Sequence, residues 1–165
     1  MKKLLFIVFT ALVLAGCSKG RRVCCDLPED NSIFMSATRA DSVWRANFVE
    51  TRLLHDSLYI FGTKGDEHIR IIIKPVSTGK YYVTPRNGMY YITVGGDVMG
   101  AEYPAAADTL NQVIITGYDL KKGLIQGEFN IRFVKSGRYA GTPYVNEAIF
   151  SRGKFRAELP EPGMQ

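Results

Sequence analysis

The sequence predicts an all-β protein, a single antiparallel domain of eight or nine strands arranged as a β-sandwich or a flattened barrel. Three observations carry the prediction. Short apolar and β-branched runs recur about every dozen positions, with clusters of turn-forming residues between them. Within the runs, apolar and polar residues alternate with a period of two, as half-buried antiparallel strands require. Beyond the amino-terminal segment no stretch sustains a helical stripe, apart from a single turn around Ala105–Asp108.

In chain order the expected strands are Ile33–Thr38, Val43–Leu53, Ser57–Phe61, His68–Lys74, Lys80–Val83, Met89–Val94, Gln112–Thr116, Gly123–Val134 and Glu147–Arg156. The separators are Arg39-Ala40-Asp41, His55-Asp56, Lys64-Gly65-Asp66, Pro85-Arg86-Asn87-Gly88, Tyr118–Lys122 and Ser136–Asn146, mostly of hairpin length. Gly95–Thr109 reads as a second long irregular stretch. In "EHIRIIIK", Ile69, Ile71 and Ile73 share the core face, opposite His68, Arg70 and Lys74. In "GLIQGEFNIRFVK", Ile125, Gly127, Phe129, Ile131 and Phe133 point inward, while Gln126, Glu128, Asn130 and Arg132 meet water. Gly127 in mid-strand implies close packing or a bulge. Trp44 and the Phe129 strand are expected in the core.

The stretch "KYYVTPRNGMYYITV" reads as a hairpin closed by Pro85–Gly88, pairing Val83 with Tyr90 and Tyr82 with Tyr91. That register places Tyr81, Val83, Tyr90 and Ile92 on the core face. It makes Tyr82 and Tyr91 an aromatic cross-strand pair on the opposite face, of a kind that stabilises a sheet by about 0.2–1 kcal/mol.

The amino-terminal segment has a different texture. Lys2 and Lys3 precede an apolar run, Leu4–Ala15, interrupted by Thr10 alone. The run is shorter than the roughly 20 residues of a transmembrane helix and has the layout of a secretory signal. Its end, Leu14-Ala15-Gly16-Cys17, resembles a bacterial lipobox, in which small residues admit the peptidase and the cysteine thiol carries the lipid. The expected organisation is therefore a lipoprotein signal peptide over 1–16, a lipidated N-terminus and flexible tether over 17–31, a β-domain over 32–160 and a C-terminal tail over 161–165. Cys17 is the lipidation site, and its palmitate-class acyl chains anchor the chain to a membrane. Roughly 14 tether residues, fully extended, reach about 45–50 Å.

Ser18 resembles the signal that sends lipoproteins to the outer membrane. Lys19, Arg21 and Arg22 stand where some surface-export signals carry acids, and they would lie close to anionic head groups. The expected location is the outer membrane facing the periplasm, with surface display as the alternative. The net charge of +5, or +3 once Lys2 and Lys3 are removed, is too small for a nucleic-acid footprint. Cys24 and Cys25 are adjacent in the tether and lack the C-x-x-C spacing of a redox or zinc site.

Candidate chemistry is sparse. His55-Asp56-Ser57 contains the residue types of a hydrolase triad, but three consecutive residues in a tight hairpin cannot place the imidazole between nucleophile and acid. Gly65-Asp66-Glu67-His68 has too few oxygen donors for a calcium loop, and the chain has 2 histidines. Asp97, Glu102 and Asp108 fall in the Gly95–Thr109 stretch and read as turn formers rather than a glycosidase pair. No catalytic residue, metal site or cofactor is expected. Tyr82 and Tyr91 are the candidate partner contacts, with Tyr103, Tyr139 and Tyr144 in long loops extending the surface.

The segments "MSATRADSVWRA", "LYIFGTKGDEHIRIIIK", "TGKYYV", "QVIITGYDLKKGLIQGEF" and "AIFSRGKF" together resemble a family of small lipoproteins of Bacteroidota that carry one β-domain of unassigned function. The likeness rests on Trp44, Gly62, Gly79 with Tyr81, Gly127 with Phe129, and Gly153 with Phe155. Asp41 departs from it, standing where the family commonly has a turn glycine. The resemblance implies a β-domain and no catalytic residues. The expected function is a non-enzymatic, lipid-anchored envelope protein that binds an envelope protein or a glycan through a sheet face or its long loops. The alternative is a lipocalin-like carrier of a small apolar ligand in a barrel cavity.

Overall fold

Two antiparallel sheets face one another across a shared apolar core in the computed structural model, which describes residues 32–74, 77–108 and 110–160. The chain divides into two units, residues 1–31 and Ser32–Gln165, and the second contains the described domain. The expected leader, Cys17, the tether with Cys24 and Cys25, and the tail over 161–165 lie outside the described residues.

The strands are β1 (Phe34–Arg39), β2 (Ser42–Arg45), β3 (Phe48–Leu54), β4 (Ser57–Lys64), β5 (Glu67–Ile73), β6 (Gly79–Tyr82), β7 (Gly88–Val94), β8 (Val98–Pro104), β9 (Gln112–Asp119), β10 (Leu124–Val134) and β11 (Glu147–Glu158). One sheet has the order β2-β1-β11-β10-β9-β6 and the other β3-β4-β5-β7-β8. The fold is thus a β-sandwich. The sheets touch at one corner, through a bridge between Ala105 and Phe133, and do not close into a barrel.

Eleven strands stand among the described residues where the sequence implied eight or nine. The run Val43–Leu53 splits at Ala46-Asn47, where the chain passes from one sheet to the other. The stretch Gly95–Thr109, expected to be irregular, contains β8, whose Pro104 is tolerated because β8 is an edge strand. The hairpin read from "KYYVTPRNGMYYITV" does not form. β6 pairs with β9 in the six-stranded sheet, and β7 pairs with β5 and β8 in the five-stranded one. Residues 83–87 carry the chain between sheets, held by Asn87 N–H and Gly88 N–H donating to the Thr84 carbonyl at 3.1 and 3.0 Å.

The alternation itself is as expected. Ile69, Ile71, Ile73, Ile125, Phe129, Ile131, Phe133 and Trp44 are all buried, as are Val83, Tyr90 and Ile92, while Tyr81 is half-buried. Two-residue turns join β1 to β2 and β3 to β4. Ala40 and Asp41 have φ of 44° and 61°, and His55 and Asp56 of 47° and 60°, the two positive values that the favoured hairpin turn requires. Asp41 therefore adopts the glycine-like conformation of its turn.

The two Gly-x-Phe motifs explain one another. In the β10–β11 ladder Gly127 faces Phe155, and Phe129 faces Gly153. A Cβ at Gly153 would lie 2.6 Å from the Phe129 ring, and one at Gly127 would lie 2.9 Å from the Phe155 ring and 2.5 Å from the Ile114 carbonyl. Each ring occupies the space that a side chain on the opposite strand would need. The ladder shifts register between Phe129 and Ile131, where β11 carries an extra residue and Arg152 turns to φ 52°. This bulge changes the phase of alternation, so that Ala148 and Phe150 face inward before it, and Gly153, Phe155 and Ala157 after it.

Candidate functional site

Two side-chain arrangements stand out from this scaffold, one at the rim of the core and one on an outer face. The core holds an aromatic cluster. Phe150 contacts Trp44, Tyr90 and Phe133 at ring-centroid distances of 5.5, 5.2 and 5.8 Å, and Tyr90 contacts Tyr103 at 5.1 Å. At its rim the Arg39 guanidinium lies 5.0 Å from the Tyr90 ring centroid and 5.6 Å from that of Phe150.

Glu67 ties this rim together. Its parity on β5 matches Ile69, so its carboxylate turns inward. There it pairs with Arg39, accepts from Trp44 Nε1 at 2.7 Å and accepts from the Tyr90 hydroxyl at 3.0 Å. Burial raises the Tyr90 phenol well above its usual range, partly opposed by the nearby Arg39 charge. The phenol therefore stays protonated and donating. Glu67 thereby satisfies the buried donors of two rings.

The second arrangement covers the solvent side of the five-stranded sheet, where the register sets three rows across the strands. Arg52, Tyr59 and Ile72 form one; Glu50, Phe61, Arg70 and Met89 the next; Thr63, His68, Tyr91 and Glu102 the third. Tyr59 and Phe61 lie parallel within 18°, with centroids 6.2 Å apart, and the Arg52 guanidinium sits 5.5 Å from the Phe61 ring. Arg70 Nη2 approaches the Met89 sulfur at 3.6 Å, and Arg70 Nε is buried with no hydrogen-bond partner among the described residues.

His68 stacks on Tyr91, with centroids 4.6 Å apart and 12° between the planes. Its Nδ1 meets the Thr63 hydroxyl and its Nε2 the Thr93 hydroxyl, each at 3.1 Å. Partial burial lowers the imidazole pKa, opposed by Asp66, so the ring is neutral at pH 7. Tyr59, Phe61, Ile72, Met89 and Tyr91 are all half-buried.

The outer side of the six-stranded sheet is different in kind. On β10 and β11 it presents Gln126 bound to Arg156, Glu128 near Lys154, and Arg132 paired with Asp108 and Glu147. These strands present a solvated, ion-paired surface, with Ile149 on β11 and Val43 on β2 exposed beside it.

The residues singled out from the sequence fall in several places. Tyr91 belongs to the aromatic face. Tyr82 does not: it is 60% exposed on the edge strand β6 of the other sheet, opposite Gln112, so the two tyrosines form no cross-strand pair. Tyr103 is buried in β8 instead of lying in a loop, and its hydroxyl donates to the Val145 carbonyl at 2.9 Å. Tyr139 and Tyr144 pack half-buried against the core. His55 and Asp56 are the β3–β4 turn, and Ser57 begins β4. Glu102 lies beside Tyr91 on β8, and Asp108 is held by Arg132 at 3.1 Å. The sequence reading missed Tyr59, Phe61 and Met89 as surface residues. The alternation of "SLYIFGTK", with Leu58, Ile60 and Gly62 inward, was the signal that places Tyr59 and Phe61 outside.

A family described as a domain of unknown function (DUF6252) matches residues 31–156, a span that runs from the start of the β-domain into β11. No curated protein and no solved structure matches the chain.

Proposed function

The chain belongs to the DUF6252 family, and we propose, from the signal-like run ending at Cys17, that it is a lipid-anchored envelope lipoprotein of the Bacteroidota type that binds without catalysis. Cys17 carries the lipid, and the outer membrane, on its periplasmic side, is the anchoring surface. The β-domain engages a protein partner through the outer face of its five-stranded sheet.

The observation that carries the binding reading is the contrast between the two outer faces. One carries the ion pairs of β10 and β11, with Val43, Tyr82 and Ile149 exposed on three different strands; the other is a contiguous layer of Tyr59, Phe61, Arg70, Ile72, Met89 and Tyr91. Aromatic, arginine and methionine side chains are the residues enriched at protein interfaces. Contiguous apolar surface on a soluble domain marks an interaction site. Tyr91 has one ring face occupied by His68, which favours a protein partner over a sugar ring stacked flat on the tyrosine. The open two-sheet architecture removes the barrel on which a lipocalin-like carrier would depend.

The test is recovery from gently solubilised envelopes using the tagged full chain. Phe61→Ala with Tyr91→Ala should abolish co-purification of a protein partner, whereas Glu128→Ala with Lys154→Ala on the opposite face should leave it intact. Equal recovery with both pairs refutes the assignment of the face, and loss of wild-type recovery on adding free envelope glycan assigns the face to a sugar instead. Cys17→Ser should eliminate palmitate incorporation and release the chain from the membrane fraction.

A further inference from the structure

The two sheets have four edges, and three of them are protected. β2 and β6 are each 4 residues long, too short to template another strand. β8 is covered by the β10–β11 loop, where Ser136 N–H donates to the Glu102 carbonyl at 2.8 Å. The fourth edge, β3, runs for 7 residues. A hydrogen bond from the Thr51 hydroxyl to the Glu158 carbonyl ties it to the end of β11. Beside it lies a groove of about 630 Å³ lined by Ile33, Phe48, Val49, Thr51, Glu158 and Leu159. Phe48, Leu53 and Leu54 on this strand are 59%, 41% and 47% exposed.

We propose that β3 pairs antiparallel with β3 of a second copy of this chain, across a two-fold axis at Thr51. The strand reads Phe48-Val49-Glu50-Thr51-Arg52-Leu53-Leu54, which is complementary to its own reverse. With Thr51 facing Thr51 of the second copy, Glu50 faces Arg52, Val49 faces Leu53 and Phe48 faces Leu54, each pair occurring twice. Every apolar residue meets an apolar one, and both charges meet their opposite.

The backbone permits this register. Leu54 and Ser57 flank the two-residue His55-Asp56 turn, so they exchange both ladder hydrogen bonds, and the even-numbered residues of β3 bond to β4. The N–H and C=O groups of Val49, Thr51 and Leu53 then point to the open side. A two-fold at Thr51 brings those three into hydrogen-bonded pairs. A two-fold at Glu50 or at Arg52 would set like charges opposite each other, which is destabilising. The charges therefore select one register. Pairing of this kind is isologous and closes at two copies. It also joins the two aromatic faces into one continuous surface, with Phe48 and Leu54 at the seam.

The experiment co-expresses two differently tagged full-length chains and measures capture of one tag by the other. Wild-type chains should co-purify. Glu50→Arg alone sets an arginine against Arg52 of the second copy, and Arg52→Glu alone sets a glutamate against Glu50. Because each reversal acts twice across the axis, each should weaken capture on the order of tenfold. Co-expressing the Glu50→Arg chain with the Arg52→Glu chain should restore capture, because positions 50 and 52 are then both basic in one chain and both acidic in the other, so both charge positions across the axis are complementary again. The internal Glu50–Arg52 contact, 2.6 Å in each wild-type chain, stays broken in the mixture, so restoration reports pairing between copies.

As a second reading, Thr51→Cys in a Cys24→Ser, Cys25→Ser background should give a disulfide-linked dimer on mild oxidation. Directly opposed hydrogen-bonded residues sit about 5.5 Å apart at Cα, within disulfide reach. The same substitution at Thr63, one strand inward, should give none. Absence of wild-type capture, failure of the mixed pair to recover, or equal cross-linking at positions 51 and 63 would each overturn the proposal.

Discussion

Replacing Glu67 with alanine is the most informative single perturbation of the fold. The carboxylate accepts from two buried rings, Trp44 at 2.7 Å and Tyr90 at 3.0 Å, and pairs with Arg39. A buried donor left without an acceptor costs about 1–3 kcal/mol. The ion pair keeps a fraction of its solvent exposure on both sides and contributes at most about 1 kcal/mol. Together these put the loss at about 3–5 kcal/mol, a large part of the roughly 5–15 kcal/mol that stabilises a domain. The chain contains 1 tryptophan, Trp44, so its fluorescence during urea unfolding reports on this locus. With a slope of about 1–3 kcal/mol/M, the midpoint should fall by about 2 M while the slope is retained. Glu67→Gln keeps an acceptor oxygen and should lose about half as much. A Glu67→Ala midpoint within experimental error of wild type would refute the view that this carboxylate holds the rim of the core together.

Two further outcomes follow from the packing and from the lowered imidazole pKa. Gly127→Ala should destabilise by about 1–3 kcal/mol by urea titration, because the new Cβ meets the Ile114 carbonyl, a backbone atom that cannot swing aside, as well as the Phe155 ring. The folded-state pKa of His68 lies below its unfolded value near 6.5, so protons bind preferentially to the unfolded chain. Its contribution is intact above about pH 6.5 and is lost as the pH falls through the window down to the folded pKa. Thermal unfolding should show that loss, and His68→Gln should remove this component of the pH dependence.

The periodicity of the sequence carried the side of each strand but not its neighbour. Val83, Tyr90 and Ile92 face inward whether β6 pairs with β7 or, as observed, with β9, because a period of two constrains the face alone. The short Pro85–Gly88 link looks like a hairpin turn, yet it serves equally well to move the chain from one sheet to the other. For the same reason the apolar run Val43–Leu53 concealed the crossing at Ala46-Asn47. β8 was obscured by Gly100 within it and Pro104 at its end, residues an edge strand tolerates.

The candidate face suffered most from this ambiguity. Tyr91 was correctly directed outward, but its neighbours come from β5 and β8 rather than from β6, so His68 and Glu102 stand beside it instead of Tyr82. The Gly-x-Phe motifs were visible as a pattern, while the reason for them, a ring on each strand covering the glycine of the other, required the register. The turn at His55-Asp56 was legible because its length and residue types leave little else for it to be.

The binding reading is tested most directly by placing a photo-reactive amino acid at Met89, in the middle row of the aromatic face, and at Glu128 on the opposite face, then irradiating living cells. The account predicts a discrete protein adduct from position 89 and none of that size from position 128. The same adduct from both positions, or an adduct from position 128 alone, would contradict it.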